Sequence, residues 1–219
     1  MTLHPATQRA QLQFLFREVP VVTTVQLHRL GLLRAAGSLT LPERTRDCVT
    51  RVTQQRSVTR LSFVALKAST LQRPAQVLQH LAGVAEARLQ LGELAPGERF
   101  SLIATRGRPS GNQPDAELLL GGPSGYQDQA LEFDAGYPKL RVDEKLRAFA
   151  EQGYTGILWA TSVHGRVETL FQRMRDLRAA GELPGVERCQ VTFVDFWTAH
   201  RDPYGHRPRC HKPFVRSSY

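Results

Sequence analysis

One pair of apolar runs around a Gly/Pro-rich break constrains this chain most. Asp115-Ala116-Glu117-Leu118-Leu119-Leu120 and Gln129-Ala130-Leu131-Glu132-Phe133-Asp134 flank Gly121-Gly122-Pro123-Ser124-Gly125. Glycine and proline clusters between apolar runs mark hairpins. In the second run the period-2 alternation of a strand puts Glu132 and Asp134 on one face and Leu131 and Phe133 on the other. If Leu120 lies opposite Gln129, Asp115 lies opposite Asp134, and three carboxylates share one small area. Like charges that close raise each other's pKa unless something positive stands between them. A hard divalent cation with oxygen ligands, such as Mg²⁺, meets that need, with Asp115 and Glu132 as its first ligands.

The charge is uneven. Residues 1–70 carry ten Lys/Arg against three Asp/Glu, residues 71–197 carry fourteen against sixteen, and residues 198–219 carry five against one. A basic head and tail around a slightly acidic middle suit a polyanion held by the two ends. No apolar run approaches the ~20 residues of a membrane span. The start, Met1-Thr2-Leu3-His4-Pro5, has no basic stretch leading into an apolar one, so it does not read as a signal peptide. Cys48, Cys189 and Cys210 are an odd and scattered set. They read as reduced thiols of a cytoplasmic protein, Cys48 as core packing.

The head divides into helices over residues 7–17 and from Thr23 or Thr24 to Gly31, then a third starting at Thr40. Thr40-Leu41-Pro42-Glu43 is a capping box with Pro in the first turn. That third helix would bury Cys48, Val49 and Val52 and show Arg44, Arg46, Thr50, Arg51 and Gln54. A hairpin over 57–67 would follow, with Arg56 and Arg60 near its tip. Three helices and a basic hairpin make a winged helix, whose third helix enters the major groove of double-stranded DNA. Arg44, Arg46, Arg51 and Gln54 suit base edges there, and Arg56 and Arg60 suit phosphates. Units of this size also serve as protein-interaction modules.

The middle alternates strands and helices. A long helical pattern runs from 74 to 94 and carries Glu86. A strand over 99–105 precedes the hairpin. Then come a helix over 141–152, an apolar strand over 155–161, a helix over 166–179 with an i, i+3, i+4 stripe, and a strand over 191–196. This order implies an α/β domain with a mixed sheet covered by helices. The expected division is 1–70, 71–197 and a basic tail, 198–219. His200, His206, Cys210 and His211 crowd the tail, but their spacing fits no standard zinc site. The tail reads as a basic arm that packs by Trp197 and Phe214, and its loss should barely change stability.

The Pro114-Asp115 and Glu132-Phe133-Asp134 pair resembles the PD-(D/E)xK core of restriction-endonuclease-like folds, with Asp134 where that core has Lys. Leu131-Glu132-Phe133-Asp134-Ala135-Gly136, a helix through Lys145 and Phe149, and the strand Gly156-Ile157-Leu158-Trp159-Ala160 resemble the plasmid replication-relaxation family over roughly residues 7–197. The family often has Arg-Gly-Thr after its Asp, where this chain has Ala135-Gly136-Tyr137. The resemblance implies an accessory protein of plasmid replication or mobilisation, with a winged helix, a nuclease-like domain, and a relaxase or replication protein as partner. It implies a catalytic set of Asp115, Glu132 and Asp134, with Lys145 or Lys139 reaching in for the missing strand Lys. Glu86 on the first helix would join Asp115 and Glu132 as a metal ligand. A one-metal nuclease needs two carboxylates on the cation and a Lys beside the attacking water. Three outcomes stay open: an active Mg²⁺-dependent nuclease or nickase, a degenerate DNA-binding core, or a winged-helix regulator or interaction module.

Overall fold

The computed structural model describes residues 4–39, 45–52, 58–103, 112–120, 127–198 and 215–218. It is an α/β chain with a six-stranded mixed sheet and a small antiparallel sheet. Contacts divide it into two units, Met1–Glu86 with Asp195–His211, and Ala87–Val194 with Lys212–Tyr219. The first break therefore falls inside a helix, sixteen residues past the expected 70/71 boundary, and Asp195–Thr198 belongs with the head.

The first unit starts with α1 (Pro5–Glu18), which has proline in its first turn and buries Leu12 and Leu15. Strand β1 (Val22–Thr23) leads into α2 (Thr24–Arg29) through a full capping box. The Thr23 hydroxyl accepts the Gln26 N–H, and the Gln26 side chain accepts the Thr23 N–H at 2.8 Å. Gly31 ends the turn at φ 69°, a conformation glycine adopts without strain. Helix α3 (Leu33–Leu39), strands β2 (Thr45–Arg51) and β3 (Val58–Val64), and the short α4 (Ala68–Leu71) follow. The sheet order is β1-β3-β2, antiparallel throughout.

The expected helix from Thr40 is corrected here: residues 45–51 form a strand. The side chains that turn inward are Cys48, Thr50 and Val52, a spacing of two. Val49, which a helix would have buried, is 61% exposed. Thr50, which a helix would have exposed, is buried and donates to Gln79 Oε1. β-Branched residues at 45, 49, 50 and 52 favour the pleated backbone. The proposed capping box, Thr40–Glu43, lies outside the described residues.

Helix α5 (Ala75–Gln90) runs from the first unit into the second. The second unit continues with β4 (Arg99–Leu102), β5 (Ala116–Leu120), β6 (Gln127–Asp134), α6 (Lys139–Glu151) and β7 (Gly156–Thr161). A 3-10 turn (His164–Arg166), α7 (Val167–Ala179), β8 (Arg188–Phe193) and β9 (Val215–Ser218) complete it. The sheet order is β4-β5-β6-β7-β8-β9. Strands β6, β7 and β8 run parallel through α6 and α7, and the flanking pairs are antiparallel. Phe133, Leu146, Phe149, Ile157, Trp159 and Met174 are fully buried around these strands. Each stabilises the fold by about 1.5–3 kcal/mol on transfer from water.

Two expectations for this unit change. The hairpin register pairs Leu120 with Gln127 and Ala116 with Leu131, two residues away from the expected pairing. A two-residue slip keeps every side chain on its face. It moves Asp115 from opposite Asp134 to opposite Glu132. The tail also contributes a strand: β9 pairs with β8 from Cys189↔Ser218 to Thr192↔Val215. Residues 215–218 are thus a strand of the sheet, and the rest of the expected arm, 199–214, lies outside the described residues.

Candidate functional site

The acidic hairpin gathers its residues at the carboxyl end of β6. Asp115 is half-buried, donates its own N–H to the Leu131 carbonyl at 2.9 Å, and accepts the Phe133 N–H on Oδ2 at 2.8 Å. Its carboxylate therefore ties the start of β5 to β6. Glu132 is fully buried, and the ammonium of Lys145 stands 2.7 Å from its Oε1. Lys145 comes from the second turn of α6 and also donates to the Gln113 carbonyl at 3.0 Å. The Phe149 ring centroid lies 5.6 Å from the same ammonium. The phenol of Tyr137 lies near the Glu132 carboxylate. Burial first, and then the negative charges of Glu132, Asp115 and Asp134, push that phenol far above its usual range.

Asp134 is also fully buried, and it organises the turn after β6. Its Oδ1 accepts the backbone N–H groups of Gly136 and Tyr137. Its Oδ2 accepts from Trp159 Nε1 at 3.3 Å and lies 3.2 Å from Arg166 Nη1. Arg166 Nη2 reaches past it to the Tyr137 carbonyl at 2.8 Å. Gly136 sits at φ 122°, where a side chain would be strained. The Ala135-Gly136-Tyr137 turn is thus fastened by Asp134 and Arg166, and Tyr137 is fixed edge-on to Trp159, with ring centroids 6.4 Å apart.

The electrostatic result is two buried carboxylates, each with a cation supplied by the chain: Lys145 on Glu132 and Arg166 on Asp134. Each buried charge thus faces an opposite charge from the chain itself, and Asp134 is hydrogen-bonded as well. As they stand, both buried acids already face a cation of the chain. Glu132 faces Lys145, Asp115 accepts the Phe133 N–H, and Asp134 faces Arg166 and three N–H donors. Among the described residues no cluster of three or more His, Cys, Asp or Glu has metal-holding geometry.

Glu86 takes a different place from the one expected for a third metal ligand. It belongs to the first unit, where its Oε2 lies 2.8 Å from Arg29 Nη2 and accepts from Gln26 Nε2 at 2.9 Å. Arg29 also donates to the Asp195 carbonyl at 2.5 Å, and the Thr23 hydroxyl donates to the Phe196 carbonyl at 2.7 Å. Glu86 thus anchors α2 through Gln26 and Arg29, while Arg29 and Thr23 hold the 195–196 backbone.

Of the basic residues expected to meet DNA, three are described. Arg46 points inward and donates to the carbonyls of Leu71 and Arg73 at 2.6 and 2.8 Å, so it fastens the sheet to the following segment. Arg51 and Arg60 are exposed on the outer face of the β2–β3 hairpin. Arg44, Gln54 and Arg56 lie outside the described residues, as do His200, His206, Cys210, His211 and Phe214.

Tyr137, Trp159 and Arg166 were not singled out from the sequence. Arg166 has one usable signal: it stands between a parallel strand and a helix, where loops at strand carboxyl ends place functional side chains. Lys139, the other lysine considered, is exposed at the start of α6. It lines a groove of about 570 Å³ with Val142 of α6, Leu170 and Arg173 of α7, and Arg166. No described helix is long and apolar enough to cross a membrane. No family model, curated protein or solved structure matches this chain.

Proposed function

We propose that this protein binds double-stranded DNA as an accessory factor of plasmid replication or mobilisation, with a nuclease-like second unit that has become an internal ion-pair core. The observation that carries this reading is the pairing of Glu132 with Lys145, 2.7 Å apart and sealed from solvent. Where a metal nuclease keeps two acids open to a cation, this chain fills the position with its own ammonium. The plasmid context rests on the family resemblance, as does a relaxase or replication protein as partner.

Support for DNA binding comes from the first unit. Its order, α1-β1-α2-α3-β2-β3, and its sheet order, β1-β3-β2, agree with a winged helix. Residues 1–70 carry ten cationic side chains against three acidic ones. On this reading α3, with Arg34 exposed, takes the groove-facing position first expected for residues 40–54, and Arg51 and Arg60 meet the backbone from the hairpin. Titration of duplex binding against salt tests it. Log affinity should fall linearly with log salt by about 0.9 per phosphate neutralised. A flat response, or no binding at low salt, refutes it.

A second reading has one observation in its favour: Lys145 stands beside Glu132, where a nuclease needs the lysine that Asp134 displaces from the strand. Asp115, opposite Glu132, would complete that set in a Mg²⁺-dependent nuclease or nickase. Metal-dependent nicking that disappears in Asp115→Ala and Glu132→Ala variants would establish it.

A further inference from the structure

Helices α6 and α7 leave a groove of about 570 Å³ between them, within the second unit. One end of it lies past the carboxyl ends of two parallel neighbours, β6 and β7. Lys139 follows the last residue of β6 by five positions, and Arg166 follows the last residue of β7 by five. Matched spacing after adjacent parallel strands brings both cations to the same groove. Ligands of open α/β sheets bind outside the carboxyl ends of the strands. The volume falls within the range of about 300–1,000 Å³ that small-molecule sites occupy.

Three cations line this groove, and they are held in different ways. Lys139 is exposed and makes no hydrogen bond or ion pair with another described residue. Arg166 is fixed by Asp134 and the Tyr137 carbonyl. Arg173, two turns further along α7, is clamped by Asp143 through Nε and Nη2, both at 2.7 Å. A guanidinium has five N–H groups, so each arginine keeps donors beyond these contacts while its orientation is already set. Forks oriented in advance match the oxygens of a phosphate. Buried Val142 and Leu170 give the groove an apolar floor. Asp176 lines it ten residues beyond Arg166, about 15 Å along a helix. Glu168 lines it as well, so three cations share the groove with two acids. A wall with acids among its cations offers little to a polyanion. It suits a small ligand with one anionic group and several N–H or O–H donors.

We infer that the α6–α7 groove binds a nucleoside monophosphate. Its phosphate would lie between Lys139 and Arg166, with Arg173 donating to the ester or sugar oxygens. The base and sugar would cover Val142 and Leu170, and their donors would reach Asp176. The inference goes beyond DNA binding by the first unit and does not depend on it.

Isothermal titration calorimetry of the full chain tests it, using the 5′-monophosphates of adenosine, guanosine, cytidine and uridine. The four nucleosides and inorganic phosphate are the controls. At least one nucleotide should bind once per chain, at least about tenfold tighter than its nucleoside or phosphate alone. Lys139→Ala should weaken that binding about tenfold, the weight of one charge-assisted contact. Thr169→Trp places an indole in the groove from its α7 wall, changes no charge, and should abolish binding. Both positions are exposed, so melting temperatures of the variants should match wild type within a few degrees. No binding by any of the four nucleotides overturns the inference. So does a nucleotide bound no tighter than its nucleoside, or binding that survives either variant unchanged. Duplex DNA that displaces the nucleotide, and whose own affinity falls in both variants, also overturns it, because the groove is then a contact for backbone phosphates.

Discussion

Lys145→Met tests the buried pair directly. Methionine keeps most of the length and apolar character of the lysine stem and removes the ammonium. Glu132 would then be a fully buried carboxylate without the cation that stands 2.7 Å from it. Removing one member of a buried pair costs about 3–5 kcal/mol, because the survivor is left uncompensated. For a chain of this size 1 kcal/mol corresponds to about 2–4 °C, so the melting temperature should fall by roughly 6–20 °C. Replacing both members removes both charges. Glu132→Gln with Lys145→Met leaves no unpaired charge at this position, and it should recover most of the loss. Denaturant unfolding of wild type, both single variants and the double variant completes a double-mutant cycle, with an expected coupling of at least about 2 kcal/mol. A single variant within about 1 kcal/mol of wild type would refute the argument, since Glu132 would then be stabilised by something else. A double variant no better than the worse single variant would refute it as well.

Two further predictions follow from the same geometry. Tyr137 and Tyr154 both have phenols held above their usual range, Tyr137 by burial among three carboxylates and Tyr154 by burial and its bond to Glu117. Ultraviolet titration should show these two of the five tyrosines ionising only on unfolding. A folded pKa above the unfolded value of ~10 means their stabilisation is complete below pH ~10 and is lost as pH rises beyond it. Normal ionisation of all five in the folded protein would contradict this. Deleting residues 212–219 removes β9 and exposes the edge of β8, so the melting temperature should fall clearly. An unchanged melting temperature would return the tail to the role of a loose arm.

The faces of β6 were legible because a period of two survives a register slip of two. Glu132 and Asp134 share a face whether Leu120 meets Gln127 or Gln129. The register itself was not legible, because the glycine-rich turn leaves open where the second strand begins. Residues 45–51 were misread because Cys48 and Val52 stand four apart and satisfy a helical stripe as well as an alternating one. The decisive residue was Thr50, whose burial depends on Gln79, twenty-nine positions away. Lys145 was legible as a candidate, since a helix that crosses back over β6 presents a few side chains to it. That it would pair with Glu132 rather than leave it open was not legible, since only tertiary packing decides this. Arg166 and Tyr137 escaped for the same reason. Val215-Arg216-Ser217-Ser218 has one apolar residue and no strand pattern. It is a strand because β8 offers it an edge.

The proposed function is to hold duplex DNA and leave it uncut. Agarose electrophoresis of supercoiled plasmid, incubated with the full chain and Mg²⁺ or Mn²⁺, reads both halves together. Plasmid should be retarded at low salt and released as salt rises, and the recovered DNA should still be supercoiled with either metal. Nicked or linear plasmid that requires metal and is lost in Asp115→Ala and Glu132→Ala variants would contradict it. So would plasmid that runs unretarded at every protein concentration.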